Sequence, residues 1–259
     1  MPPISLPVPL ATHNFLSYFH HHPALPKHTF YFIASVAFSI LNRPEEIPRV
    51  WDYALKELAI RGSAEEDYVR KELASGCALG DGESALTIHR KIREALLKSA
   101  AIGGLPKAIN ALNLLKKSTP AHILAAPSPT QRRLSHNAPD VTSAQIIARG
   151  NTFFDRVYGK VSRRVMGSMR NSYDDLGVVA ELMYGHVFSN IEVLGERDTS
   201  LLLVAGLIPQ NVNPQLKGHL KGALNNGATV EEVMAVREVV LKICEKANWG
   251  GEEAGVAKL

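Results

Sequence analysis

NPQLKGHLKGALNNGATVEE, Asn213 to Glu232, holds the end of one helix and the start of another, and it decides how the chain is read. Asn213 followed by Pro214 is an N-cap and a first-turn proline, whose missing N–H costs nothing there. Leu216, Leu220, Ala223 and Leu224 recur at helical spacing and lay an apolar stripe along one face. Gly227 is placed to close the helix in the left-handed conformation. Thr229 with Glu232 three residues later forms a capping box for the next helix. One polar side chain, His219, sits on the stripe.

Working outward, the same period recurs along the chain. It predicts helices over Phe30–Leu41, Pro44–Ala59, Ser84–Ala101, Leu105–Lys117, Ala144–Tyr158, Asn171–Ser189, Arg197–Ile208 and Glu231–Asn248. A further one, led by a Ser63/Glu66 capping box, runs to about Cys77. In Asn171–Ser189 the spacing assigns Leu176, Val179, Ala180, Met183, Tyr184 and Val187 to one buried face, with Ser172 and Asp175 capping. No alternating strand pattern is present, so the fold class is all-α. The expected organisation is an extended N-terminal arm, 1–29, with one helical turn; a first helical unit, 30–117; a proline-rich linker, 118–141; a second unit, 142–249; and a flexible tail, 250–259. The two units echo each other. FIASVAFSILNRPEEIPRVWDYALKELAIRGSAEE and LLLVAGLIPQNVNPQLKGHLKGALNNGATVEE both run from an apolar helix through Asn and Pro to an amphipathic helix, Gly and a capping box. Aligned, Val50 stands opposite His219 and Trp51 opposite Leu220, so the histidine belongs to the second copy alone.

Composition narrows the function. The 259 residues are 46% hydrophobic and 21% charged, with a formal net charge of +4. Basic residues are interspersed with acidic ones, which argues against nucleic acid as a partner. The longest apolar run, Phe30–Leu41, is shorter than the roughly 20 residues a membrane span needs. Met1–Pro9 lacks the basic start of a signal peptide. Cys77 and Cys244 make no C-x-x-C pair and read as reduced thiols. His20-His21-His22 is read as a solvated loop, with no metal assigned, and no cofactor motif is present. Ala257-Lys258-Leu259 is a variant of the Ser-Lys-Leu peroxisomal address. It points to the peroxisome matrix and an import receptor as partner, given a free, solvated terminus after the Gly/Glu-rich run.

The segment YGHVFSNIEVLGERDTSLLLVAGLIPQNVNPQLKGHLKGALNNGATVEEV resembles the carboxymuconolactone decarboxylase family, related in fold to the AhpD-type alkylhydroperoxidases. The resemblance covers Ala148–Trp249, with RGNTFFDRVYGK at its start and HLKGALNNGAT as its most specific element. REALLKSAAIGGLPKAINAL makes the first half look like a divergent copy. With Ala-Lys-Leu, the chain looks like a fungal peroxisomal member. The resemblance implies an AhpD-like fold of two repeats in a homo-oligomer. In the peroxidase branch, Val212 and Gln215 would be cysteines and Ser200 the relay glutamate. None is present, so disulfide-cycling peroxidase chemistry is not expected. The decarboxylase branch implies a cofactor-independent lyase in which His219 moves a proton on a small carboxylated or lactone substrate. Tyr184, His186, Asn225 and Asn226 are the substrate-binding candidates by position. The alternative is a non-catalytic oligomeric interaction or ligand-binding protein, with His219 packed in an interface and Gly218 and Gly222 admitting a neighbouring helix.

Overall fold

The computed structural model describes residues 8–58, 83–126, 141–250 and 255–259. They form α1 (His13–His20), α2 (Phe30–Ile40), α3 (Ile47–Leu58), α4 (Ala85–Gly103), α5 (Leu105–Ser118), α6 (Ala121–Leu124), α7 (Ser143–Tyr158), α8 (Ser162–Ser172) and α9 (Asp174–Leu182). A π-helix (Met183–Phe188), α10 (Glu196–Leu207), α11 (Asn213–Asn225) and α12 (Val230–Lys246) complete them. The protein is all-α. The Ser63/Glu66 box and Cys77 lie outside the described residues, and no helix among those described is long and apolar enough to cross a membrane.

A helix that is apolar on every side must be surrounded. α2 is buried along its whole length, and α10 from Thr199 to Leu207. The two pack on each other, with α4 and α12 alongside both. Asn42 after α2 and Asn211 after α10 both adopt left-handed φ, 56° and 55°, a conformation asparagine tolerates better than most residues. α12 starts with the expected capping box, Thr229 and Glu232 each holding the other's backbone N–H. A fully buried charged side chain from the first half reaches the second. Lys98 on α4, fully buried, donates to Asn190 O (2.7 Å) and Thr199 Oγ1 (2.7 Å) and pairs with buried Glu94. It pins the loop between the π-helix and α10.

The structure corrects three expectations. The arm carries a two-turn helix, α1, capped by Thr12 and anchored by buried Leu16 and Phe19. The rings of His20 and His21 lie 4.6 Å apart, His20 against Tyr53 and Phe30 and His21 bonded to Ser17 O, while His22 turns to Glu238. The tail is not free where it is described. Val256 and Ala257 are buried, because the Arg237 guanidinium donates to both their carbonyls (3.1 Å each) and Asn213 Oδ1 accepts from Ala257 N–H. Finally, Asn171–Ser189 is not one helix. α8 ends at Ser172, α9 begins at Asp174 with Tyr173 as N-cap, and the pitch widens to π at Met183. The stripe is not buried as assigned: Tyr184 is buried, while Leu176 and Val179 face solvent, because α9 turns Gly177 toward Arg170 of α8.

Candidate functional site

Three elements meet around His219, and small residues set how closely. A Cβ on Gly150 of α7 would lie 2.4 Å from Gly185 N, so the π-helix backbone rests directly on α7. A Cβ on Gly222 would lie 2.7 Å from Val157 Cγ1, so α11 seats on the last turn of α7 in the way expected for helix-admitting glycines. Asn225 Nδ2 closes the junction by donating to Val157 O at 3.1 Å.

This packing brings Tyr158, the last residue of α7, against the histidine. Tyr158 OH lies 3.4 Å from His219 Nε2, and Tyr184 OH donates to Tyr158 OH, also at 3.4 Å. Phe154 lies beside both tyrosines (centroids 4.6 and 4.8 Å away), and Phe188 packs on Tyr184. His219 and Tyr184 are buried and Tyr158 is half-buried. Burial pushes the imidazole down to about 4 and both phenols up, since an apolar surround disfavours each charged form. All three groups are therefore neutral near pH 7. Tyr184 donates a hydrogen bond to Tyr158, and the Tyr158 hydroxyl faces His219 Nε2, with the ring tautomer setting which of the two donates. Both contacts are longer than the 2.7–2.8 Å usual for hydroxyl donors. Long bonds of this kind tighten when a reacting group joins them. A π-turn supplies Tyr184, and such turns recur at functional sites.

The other sequence candidates divide. His186 is half-buried two residues beyond Tyr184, and residues two apart on a helix leave on different sides. Asn225 clamps backbone. Asn226 faces α10, where Nδ2 donates to Ser200 Oγ (2.9 Å) and Oδ1 has no partner; Ser200 thus serves Asn226. Val212 precedes α11 and Gln215 is exposed. Ala257 is held by Arg237 and Asn213, whereas Lys258 and Leu259 are exposed. Tyr158 was missed, although Phe154 and Tyr158 stand four apart in RGNTFFDRVYGK and so share a helix face. The described thiol, Cys244, is buried, and its pKa is raised to about 12 by burial. That is the setting of an inert cysteine. An open groove of about 970 Å³ runs along the outer side of α12, past His22, Met234, Glu238, Lys242 and Trp249; neither His219 nor the two tyrosines line it.

In sequence the chain is similar to Peroxisomal protein 2 of Saccharomyces cerevisiae, 34% identical over 271 aligned positions that cover 92% of this chain and 94% of that protein. It is also similar to Peroxisomal protein 2 of Schizosaccharomyces pombe, 36% identical over 219 positions, 84% of this chain and 86% of that one. No protein-family model matches the chain, and no solved structure does.

Proposed function

Because the chain belongs to the family of these two Peroxisomal protein 2 sequences, and is a peroxisomal protein, we propose that it is a matrix enzyme related to the carboxymuconolactone decarboxylases. In this reading it is an AhpD-like, two-repeat protein that uses His219, Tyr158 and Tyr184 for cofactor-independent proton transfer. The substrate class is a small β-keto acid or lactone. Support for the repeat comes from the paired left-handed asparagines, Asn42 and Asn211, at matching points after two buried helices.

The observation that carries the enzymatic reading is the Tyr184–Tyr158–His219 chain, buried yet bonded only at 3.4 Å. Burying two of these polar groups and half-burying the third without short hydrogen bonds destabilises the fold, a cost that a functional site accounts for. In a decarboxylation, CO₂ would leave while the pair of the broken C–C bond stays on the substrate carbon as an enolate. The Tyr158 hydroxyl would hydrogen-bond the enolate oxygen, and His219 would relay a proton from solvent to that carbon to complete the product. In a lactone isomerisation, His219 would take a proton from one carbon and return it to another.

The test compares wild type with Tyr158→Phe, His219→Gln and a Cys77→Ser/Cys244→Ser pair on β-keto acids and lactones, following CO₂ release and ring chemistry. Turnover is expected to fall roughly 100-fold or more in the first two, with melting temperatures near wild type, and to survive in the cysteine pair. Equal turnover in wild type and His219→Gln, or none in either, would transfer the assignment to the interaction reading. That second reading has its own support in the exposed apolar side of α9. The import address is assigned to Ala257-Lys258-Leu259. Receptor capture of Ala257 would require its release from Arg237 and Asn213; exchanging the tripeptide should leave the protein in the cytosol.

A further inference from the structure

α9 carries its apolar residues on the wrong side. Leu176, Val178, Val179 and Leu182 are each between 42% and 47% exposed, and the adjoining Tyr173 is 66% exposed. Their spacings of three and four place them together on one side of the helix. The inward side holds Gly177, Ala180 and Glu181 instead, with the Arg170 side chain of α8 lying over Gly177 and bonded to Glu181 at 2.9 Å. Only Ser162 of α8 and Gly177 of α9 are buried. Helices this short are marginal in water without a covered apolar face, and contiguous exposed apolar surface marks an interface.

We infer that the α8–α9 hairpin is a homodimer interface, covered by the same hairpin of a second copy about a two-fold axis near Val179. Two arguments select a copy of this chain over another partner. α8 packs Val165, Met166 and Met169 on the core, whereas α9 buries none of its large apolar side chains, so the cover of α9 must be permanent and stoichiometric, which self-association provides. The charges are also self-complementary. Asp175 and Asp174, the latter 3.4 Å from Arg170 of its own hairpin, are exposed at the start of α9, and Arg163 and Arg164 are exposed at the start of α8. In an isologous contact residue i of one copy meets j of the other and j meets i, so an antiparallel pairing brings the acids of each copy to the arginines of the other. α9 is only about 14 Å long, so both helices must join to approach the ~800 Å² per partner of a standard interface. α9 also continues directly into the π-helix that carries Tyr184, so the interface would brace one wall of the candidate site.

The test is solution mass, which is independent of any activity. Wild type is expected at twice the 28.3 kDa subunit mass, and Val179→Glu at the subunit mass with its helical circular dichroism retained. Where Val179→Glu fails to fold, Val179→Cys in a Cys77→Ser background decides: a short bis-maleimide should link pairs through position 179. Ile109→Cys, exposed on α5, should stay unlinked. Arg163→Glu/Arg164→Glu should weaken the dimer at least tenfold, and adding Asp174→Arg/Asp175→Arg should restore it. A monomeric wild type, a Val179→Glu protein of unchanged mass, or equal linking at positions 179 and 109 would overturn the inference.

Discussion

His219 should make the protein acid-sensitive by a calculable amount. In the unfolded chain an imidazole titrates near 6.5; in the fold, burial brings His219 down to about 4. Between those values the unfolded state binds the extra proton, so lowering the pH favours unfolding. The stability concerned is fully present above about pH 6.5, is lost as pH falls toward 4, and changes no further below. At 1.36 kcal/mol per unit the whole effect is about 3 kcal/mol, of which about 2 kcal/mol is gone by pH 5. His89 is brought to about 4 by burial, with Arg93 and Arg90 adding in the same direction, and it contributes a similar loss. Wild type should therefore lose about 4 kcal/mol between pH 8 and pH 5 from these two groups. His219→Gln should lose about 2 kcal/mol, and His89→Gln/His219→Gln none from this source. Urea midpoints followed by far-ultraviolet circular dichroism at pH 8, 6 and 5 measure the differences at fixed protein concentration. A gap between wild type and His219→Gln that stays constant with pH would refute the claim that the imidazole is buried and neutral.

Two further outcomes follow from the packing. Gly150→Ala places a methyl within 2.5 Å of Gly185 N and Cα; with backbone on the far side there is little room to give, so a loss of about 3 kcal/mol is expected in urea unfolding. Lys98→Met leaves Glu94 buried beside it and strips the donor from Asn190 O and Thr199. Unfolding should come about 3–5 kcal/mol earlier, and Glu94→Leu/Lys98→Met should recover most of that.

Much of the architecture was legible because it follows from local rules. Periodicity located the helices around Phe30–Ile40, Glu196–Leu207 and Asn213–Asn225 to within a residue or two, and the Thr229/Glu232 box closed as spaced. His219 stood out because it is the single polar group on an apolar stripe, and the structure buries it. Its partner was not legible. Tyr158 lies 61 residues away in sequence, and it meets His219 only because Gly150 and Gly222 let three elements approach to backbone distance. That Asn225 clamps Val157 O was not legible either, because a side-chain amide does not reveal which carbonyl it will meet.

What the amino-acid sequence determined by itself, then, was every feature set by neighbours within a turn or two: the helices, their caps, and the apolar or polar sense of each face. Which of those faces turn inward was decided by tertiary structure alone. Gly177 and Tyr184, seven residues apart, share one helical phase, and that face is the one turned inward. Tyr184 therefore enters the core while Leu176 and Val179 are left outside, because α9 sets Gly177 under Arg170 of α8, and periodicity carries no record of which neighbour a helix face will meet.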